Sequence, residues 1–134
     1  MAERNLFELL REKSILAILD GDEGFGEIET TDLNGNIEIS MPYLSGPALC
    51  DISNRFGLPV TYGWNGIYQS RWAYLDDLLE HCIKNNRESD LLAFLFSKGE
   101  FVDKLKGYTP EVIESAYTKI VETVISKING ILYF

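Results

Sequence analysis

TPEVIESAYTKIVETVISKI, residues 109–128, reads as one amphipathic helix and sets the class of the fold. Thr109 offers a capping hydroxyl, and Pro110 suits the first helical position, where no amide donor is needed. Glu111 favours the positive end of the helix dipole. Val112, Ala116, Ile120, Val124 and Ile128 recur every four residues, flanked by Ile113, Tyr117, Val121 and Ile125. Glu114, Thr118, Lys119, Glu122, Ser126 and Lys127 take the other side, so the stripe is broad enough for a central core helix. The run that follows, Asn129-Gly130-Ile131-Leu132-Tyr133-Phe134, has strand propensity. It is expected to begin a further element of a longer protein and to leave Ile131, Leu132, Tyr133 and Phe134 as an apolar interface.

Upstream of that helix the same periodicity recurs in shorter pieces. Leu6 to Leu19 predicts a helix whose second half, Ile15-Leu16-Ala17-Ile18-Leu19, is the more deeply buried, and Asp20-Gly21 ends it. Ser45-Gly46-Pro47 starts another, with Ala48, Leu49, Ile52 and Phe56 as its stripe and Gly57 closing it. Ser70 is placed to cap a third, in which Trp72, Leu75, Leu78, Leu79, Cys82 and Ile83 form the buried face. Ser89 to Phe96 reads as a fourth, with Phe101, Val102 and Leu105 continuing the pattern until Lys106-Gly107. Between the first two helices, Asn34-Gly35 is a two-residue hairpin signal. It pairs Ile28, Thr30 and Asp32 with Met41, Ile39 and Ile37, a short hairpin within residues 27–41. The expected fold is mainly α, one helical domain over residues 1–134 with about five to six helices and that single hairpin.

The chain has 134 residues and a formal net charge of −9. Such a surface repels phosphate backbones and anionic lipid, so neither nucleic acid nor a membrane is expected as a direct partner. The N-terminus lacks the apolar stretch of a signal peptide, and no run is long enough to span a bilayer, which places the protein in the cytoplasm. Cys50 and Cys82, without a CxxC, read as reduced core thiols.

Motifs that carry chemistry are missing. Asp20-Gly21-Asp22 supplies the first two oxygens of a calcium loop, but Phe25 stands where the turn needs glycine and Thr31 where a bidentate glutamate is needed. The stretch therefore reads as a solvated acidic turn, and no metal or cofactor is expected. His81, the one histidine, follows Asp77 by a helical turn and reads as half of a surface histidine–carboxylate pair. There is no GxSxG elbow, no Walker GK[ST] and no complete GxGxxG. No catalytic residue is assigned. The segment Tyr62-Gly63-Trp64-Asn65-Gly66-Ile67-Tyr68-Gln69-Ser70-Arg71-Trp72 stands out, with aromatic rings, glycines and a cation close together. Tyr62, Trp64, Tyr68 and Arg71 are candidates for binding a ligand or partner, the rings by stacking and Arg71 by charge. Trp72 is expected to staple the loop to the core.

Several phrases resemble a known family: Met41-Pro42-Tyr43-Leu44-Ser45-Gly46, Leu49-Cys50-Asp51-Ile52, Phe56-Gly57-Leu58, Ser70-Arg71-Trp72 with Tyr74-Leu75-Asp76-Asp77-Leu78-Leu79, and Ile128 to Phe134. The resemblance is to N-terminal domains upstream of the HEPN or abortive-infection C-terminal module in bacterial AbiJ-like phage-defence proteins, and it covers most of the chain from Met41 onward. It implies a non-enzymatic domain that senses, autoinhibits or assembles while a C-terminal effector module attacks RNA. The HEPN ribonuclease signature is absent here, since no Arg stands a few residues before His81. The implied partner is that effector module or a separate protein, with a homo-oligomer as a further possibility. The alternative is a small ligand-binding domain or enzyme with its site in the aromatic loop at residues 62–72.

Overall fold

The computed structural model describes residues 6–63 and 66–133. A 3-10 helix, Leu6–Arg11, leads into α1, Lys13–Leu19. Strands β1, Glu27–Ile28, and β2, Ile37–Glu38, make an antiparallel hairpin. Helices α2, Gly46–Arg55, α3, Arg71–Lys84, α4, Glu88–Leu95, and α5, Pro110–Leu132, follow, with a 3-10 turn at Lys98–Phe101 before the last. The protein is thus mainly helical, with the single short hairpin that the sequence predicts.

Two capping predictions are met at atomic detail. Ser45 accepts from the Ala48 amide at 3.2 Å and Thr109 from the Val112 amide at 3.3 Å. Each satisfies one of the donors that a helix start leaves unpaired. Ser70 makes no such side-chain bond.

The hub of the core is α3 and not α5. The 3-10 helix, α1, α2 and α4 all pack on α3, which buries Tyr74, Leu75, Leu78, Leu79, Cys82 and Ile83. Helix α5 packs on α1 and buries only Ala116, Ile120, Val124 and Ile128. Its flanking Val112, Ile113, Tyr117 and Val121 are half-buried and Ile125 is exposed. Apolar breadth in the sequence measured hydrophobic content and not burial on both sides.

Four further expectations are corrected. Residues 6–19 form two helices with a break at Glu12, whose backbone is extended. The 3-10 helix is angled so that Arg11 reaches Asp76 at 2.7 Å and Glu80 at 3.1 Å on α3. Helix α1 meanwhile buries Ile15, Leu16, Ile18 and Leu19. In the hairpin, Glu27 faces Glu38 and Ile28 faces Ile37, a register four residues from the predicted one. The turn is Asp32 to Gly35, closed by the Gly35 amide on Asp32 O at 3.0 Å, with the Asp32 carboxylate accepting from the Asn34 amide. This side-chain-built turn displaces the two-residue Asn-Gly turn. Trp72 is 40% exposed, its ring under the Lys13 ammonium, and Tyr74 takes the buried place expected of it. Finally, residues 129–132 continue α5 as helix instead of opening a strand. Leu132 is half-buried against the core, so helix packing overrides strand propensity there.

Candidate functional site

In the described part of the predicted binding loop, the tyrosine rings pack on one another. Tyr62 meets Tyr68 edge-on at 4.9 Å between centroids and Tyr74 at 5.8 Å, so three rings step from the surface to the core. Tyr74 is buried on α3, and its hydroxyl accepts from the Gln69 amide. Tyr62 also lies against Gly46, at the start of α2. Trp64 lies outside the described residues.

Arg71 is not part of that ring stack. Its Nε donates to Leu44 O at 2.6 Å, Nη1 donates to the Asp22 carboxylate and Nη2 to Asp20 O. The guanidinium rests on the Tyr43 ring, 3.8 Å from its centroid. Arg71 therefore clasps the end of α1 to the approach to α2 and the start of α3. The acidic turn is solvated at Asp22, Glu23 and Gly24 as expected, but not at Asp20. Asp20 is 0% exposed, its Oδ1 accepts from the Asp22 amide at 3.1 Å, and burial pushes its carboxyl up to about 6. The backbone hydrogen bond from Asp22 and the charge of Arg71 oppose that rise. A cation does sit among the oxygens of Asp20, Asp22 and Leu44, and it is the chain's own guanidinium.

His81 is not paired with Asp77. Its Nε2 lies 3.0 Å from Phe56 O and its Nδ1 lies 3.5 Å from Asn85 Nδ2, an arrangement that ties α3 to the end of α2. Cys50 and Cys82 are free and buried, and burial pushes both thiols above their ordinary range. A cleft of about 610 Å³ beside residues 38–44 contains Ser40, whose hydroxyl accepts from Lys104 Nζ at 3.0 Å. Glu38, Glu100 and Asp103 line the same cleft. Burial pushes the Lys104 ammonium down while Glu38 opposes it. The Ser40–Lys104 hydrogen bond tethers the chain just after β2 to the segment before α5. Among the described residues no group of histidine, cysteine and carboxylate side chains is placed to hold a metal.

The C-terminal prediction leads to a strongly apolar groove of about 400 Å³. Leu132 and Tyr133 form one wall with Ile125 and Ile128 of α5. Phe7 and Leu10 of the 3-10 helix and Leu92 and Phe96 of α4 form the rest. Ile131 is exposed outside the groove, and Phe134 lies outside the described residues. Sequence reasoning missed Phe7, Leu92, Phe96 and Ile125. The signal was present in doubled apolar positions. In Leu91-Leu92 and Leu95-Phe96 the first residue of each pair is buried and the second turns toward the groove. On α5, Ile125, Asn129 and Leu132 run as a second stripe beside the core stripe.

Comparison of the chain with protein-family models, with curated protein sequences and with solved structures found no match.

Proposed function

We propose that this chain is a contact domain of a bacterial abortive-infection protein, non-enzymatic in itself, that regulates an effector by receiving an apolar helix in the groove between the 3-10 helix, α4 and α5. The observation that carries the reading is the groove, walled by side chains of three elements and apolar except at Asn129. Apolar surface gathered in one concavity marks a contact site. The net charge of −9 favours a basic occupant. An amphipathic helix of a C-terminal effector module or of a partner protein has that chemistry, and the resemblance from Met41 onward is what ties it to phage defence in the cytoplasm. No helix among the described residues is long and apolar enough to cross a membrane. A ligand site in the aromatic loop has less support, because Arg71 is committed to the Asp20–Leu44 clasp and the described rings pack on one another.

Two experiments test the parts separately. A synthetic helix of leucine and lysine, titrated into labelled protein, should shift the amides of Leu92, Phe96, Ile125 and Leu132, and Ile125→Glu should abolish those shifts while preserving the circular dichroism spectrum. Shifts scattered over the acidic surface, or none, overturn the groove. In bacteria expressing the full-length gene, Ile125→Glu should change phage plating efficiency. A parent gene that gives no protection against a phage panel overturns the defence assignment.

A further inference from the structure

Asp20 is the one fully covered carboxylate in the described core, and half of it is unsatisfied. Its Oδ1 accepts from the Asp22 amide, whereas its Oδ2 has no hydrogen-bond partner among the described residues. Arg71 Nη2 stands 3.8 Å from Oδ1 and spends its hydrogen bond on the Asp20 carbonyl instead. The same carbonyl accepts from the Leu44 amide at 3.1 Å. The charged and titratable groups facing Asp20 are Asp22 on its own turn, Arg71 from α3 and Tyr43 from the segment before α2. Glu38, Glu100, Asp103 and Lys104 stand across the cleft that Gly21 borders. A buried carboxylate with one free oxygen is stable as the neutral acid and costly as the anion.

We propose that Asp20 and Arg71 form a proton-operated clasp, closed most firmly when Asp20 is protonated, that fastens the start of α3 and with it the outgoing end of the aromatic loop. Arg71 directly follows Ser70, where that loop ends, and it bridges the carbonyls of Asp20 and Leu44. Ionisation of Asp20 leaves a desolvated charge that Arg71, 3.8 Å away, offsets only in part, and exposure of the turn relieves the rest. Opening of the clasp therefore becomes easier as pH rises.

The size of the effect follows from linkage. In the open form Asp20 titrates at its ordinary 3.8, and in the closed form burial raises this to about 6. The open population should then grow about tenfold between pH 5 and pH 7.5. The Leu44 amide, bonded to Asp20 O, reports it by hydrogen exchange corrected for intrinsic rates. Its protection should fall about tenfold over that interval in the parent and stay constant in Asp20→Asn. An equal fall in both proteins, or a constant value in the parent, overturns the proposal. Should Asp20→Asn fail to fold, the Asp20 carboxyl carbon can be titrated directly in the parent by NMR. A midpoint near 6 supports the clasp and one at or below 4 refutes it.

Discussion

Gly46→Ala should destabilise the protein through a ring sixteen positions away in sequence. A Cβ on Gly46 would stand 2.7 Å from Tyr62 Cδ1 and closer still to Cε1, so the ring has to leave. In doing so it abandons its contacts with Tyr68 and Tyr74. Aromatic pairs of this kind contribute about 0.5–1.5 kcal/mol each beyond their burial, which puts the loss at about 1–3 kcal/mol. A second cost comes from Pro47, since a residue with a Cβ is disfavoured in the helical region immediately before proline. A double-mutant cycle with Tyr62→Ala separates the two. The proline contribution survives when the ring is already gone, while the ring contribution disappears, giving a coupling of about 1–3 kcal/mol. Urea unfolding followed by far-ultraviolet circular dichroism, on the four proteins of the cycle, supplies the free energies. Costs that add to within about 0.5 kcal/mol would refute the packing of the aromatic loop on α2.

Other perturbations have equally definite outcomes. Ile120→Ala, at a position with 0% exposure, should lose about 2–5 kcal/mol in the same assay, and a loss below about 1 kcal/mol would refute the burial of α5. Arg71→Met should cost about 3–5 kcal/mol at pH 7.5 by leaving Asp20 charged and uncompensated, and less at pH 5, where the carboxyl takes up a proton. An equal loss at both pH values would count against that account. Because the folded pKa of Asp20 lies above its unfolded value, stability of the parent relative to Asp20→Asn should fall as pH rises from about 3 to 7, by up to about 3 kcal/mol. A flat difference across that range would show that Asp20 is not buried as a charge. Calorimetry with Ca²⁺ should detect no binding tighter than about 10 µM, since Arg71 already occupies the oxygens of Asp20, Asp22 and Leu44.

What the sequence made legible was local. Thr109 with Pro110 and Ser45 with Pro47 start helices where their chemistry says they should, because capping involves residues three apart and needs no tertiary information. The second half of the 6–19 segment is buried as its apolar run predicts, and Asn34-Gly35 does mark the hairpin turn. Apart from the hairpin register, which local side-chain bonds decide, the failures depend on partners distant in sequence. Periodicity ranked α5 as central because it is long and strongly striped, yet α3 is the helix that other elements surround. Trp72 looked like a core residue on its wheel, but the inward position belongs to Tyr74, selected by Tyr62. The hairpin register moved because Asp32 and Asn36 bonded to the backbone of the turn, which no alternation of apolar residues records. At the candidate sites, Arg71 was visible as a cation but its destination was not. Half of the groove comes from residues that individually pass for ordinary core.

The long-range ties of the N-terminal third set the timetable of folding. Arg11 joins Asp76 and Glu80, Asp22 joins Arg71, Ser40 joins Lys104, and Asn34 joins Gly107 and receives the Tyr108 hydroxyl. Each of these fasteners is made on the ribosome long after the segment it secures. At roughly 5–20 residues per second, α1 and the hairpin wait several seconds for α3 and longer for residues 104–108. During that interval Ile15, Leu16, Leu19, Ile37 and Met41 lack the later helices that complete the core in the finished fold. A protein this rich in helix would ordinarily fold from local contacts within milliseconds. Here later segments of the chain close an earlier one, so the emergence of residues 6–41 is a stage of synthesis exposed to chaperones and proteases.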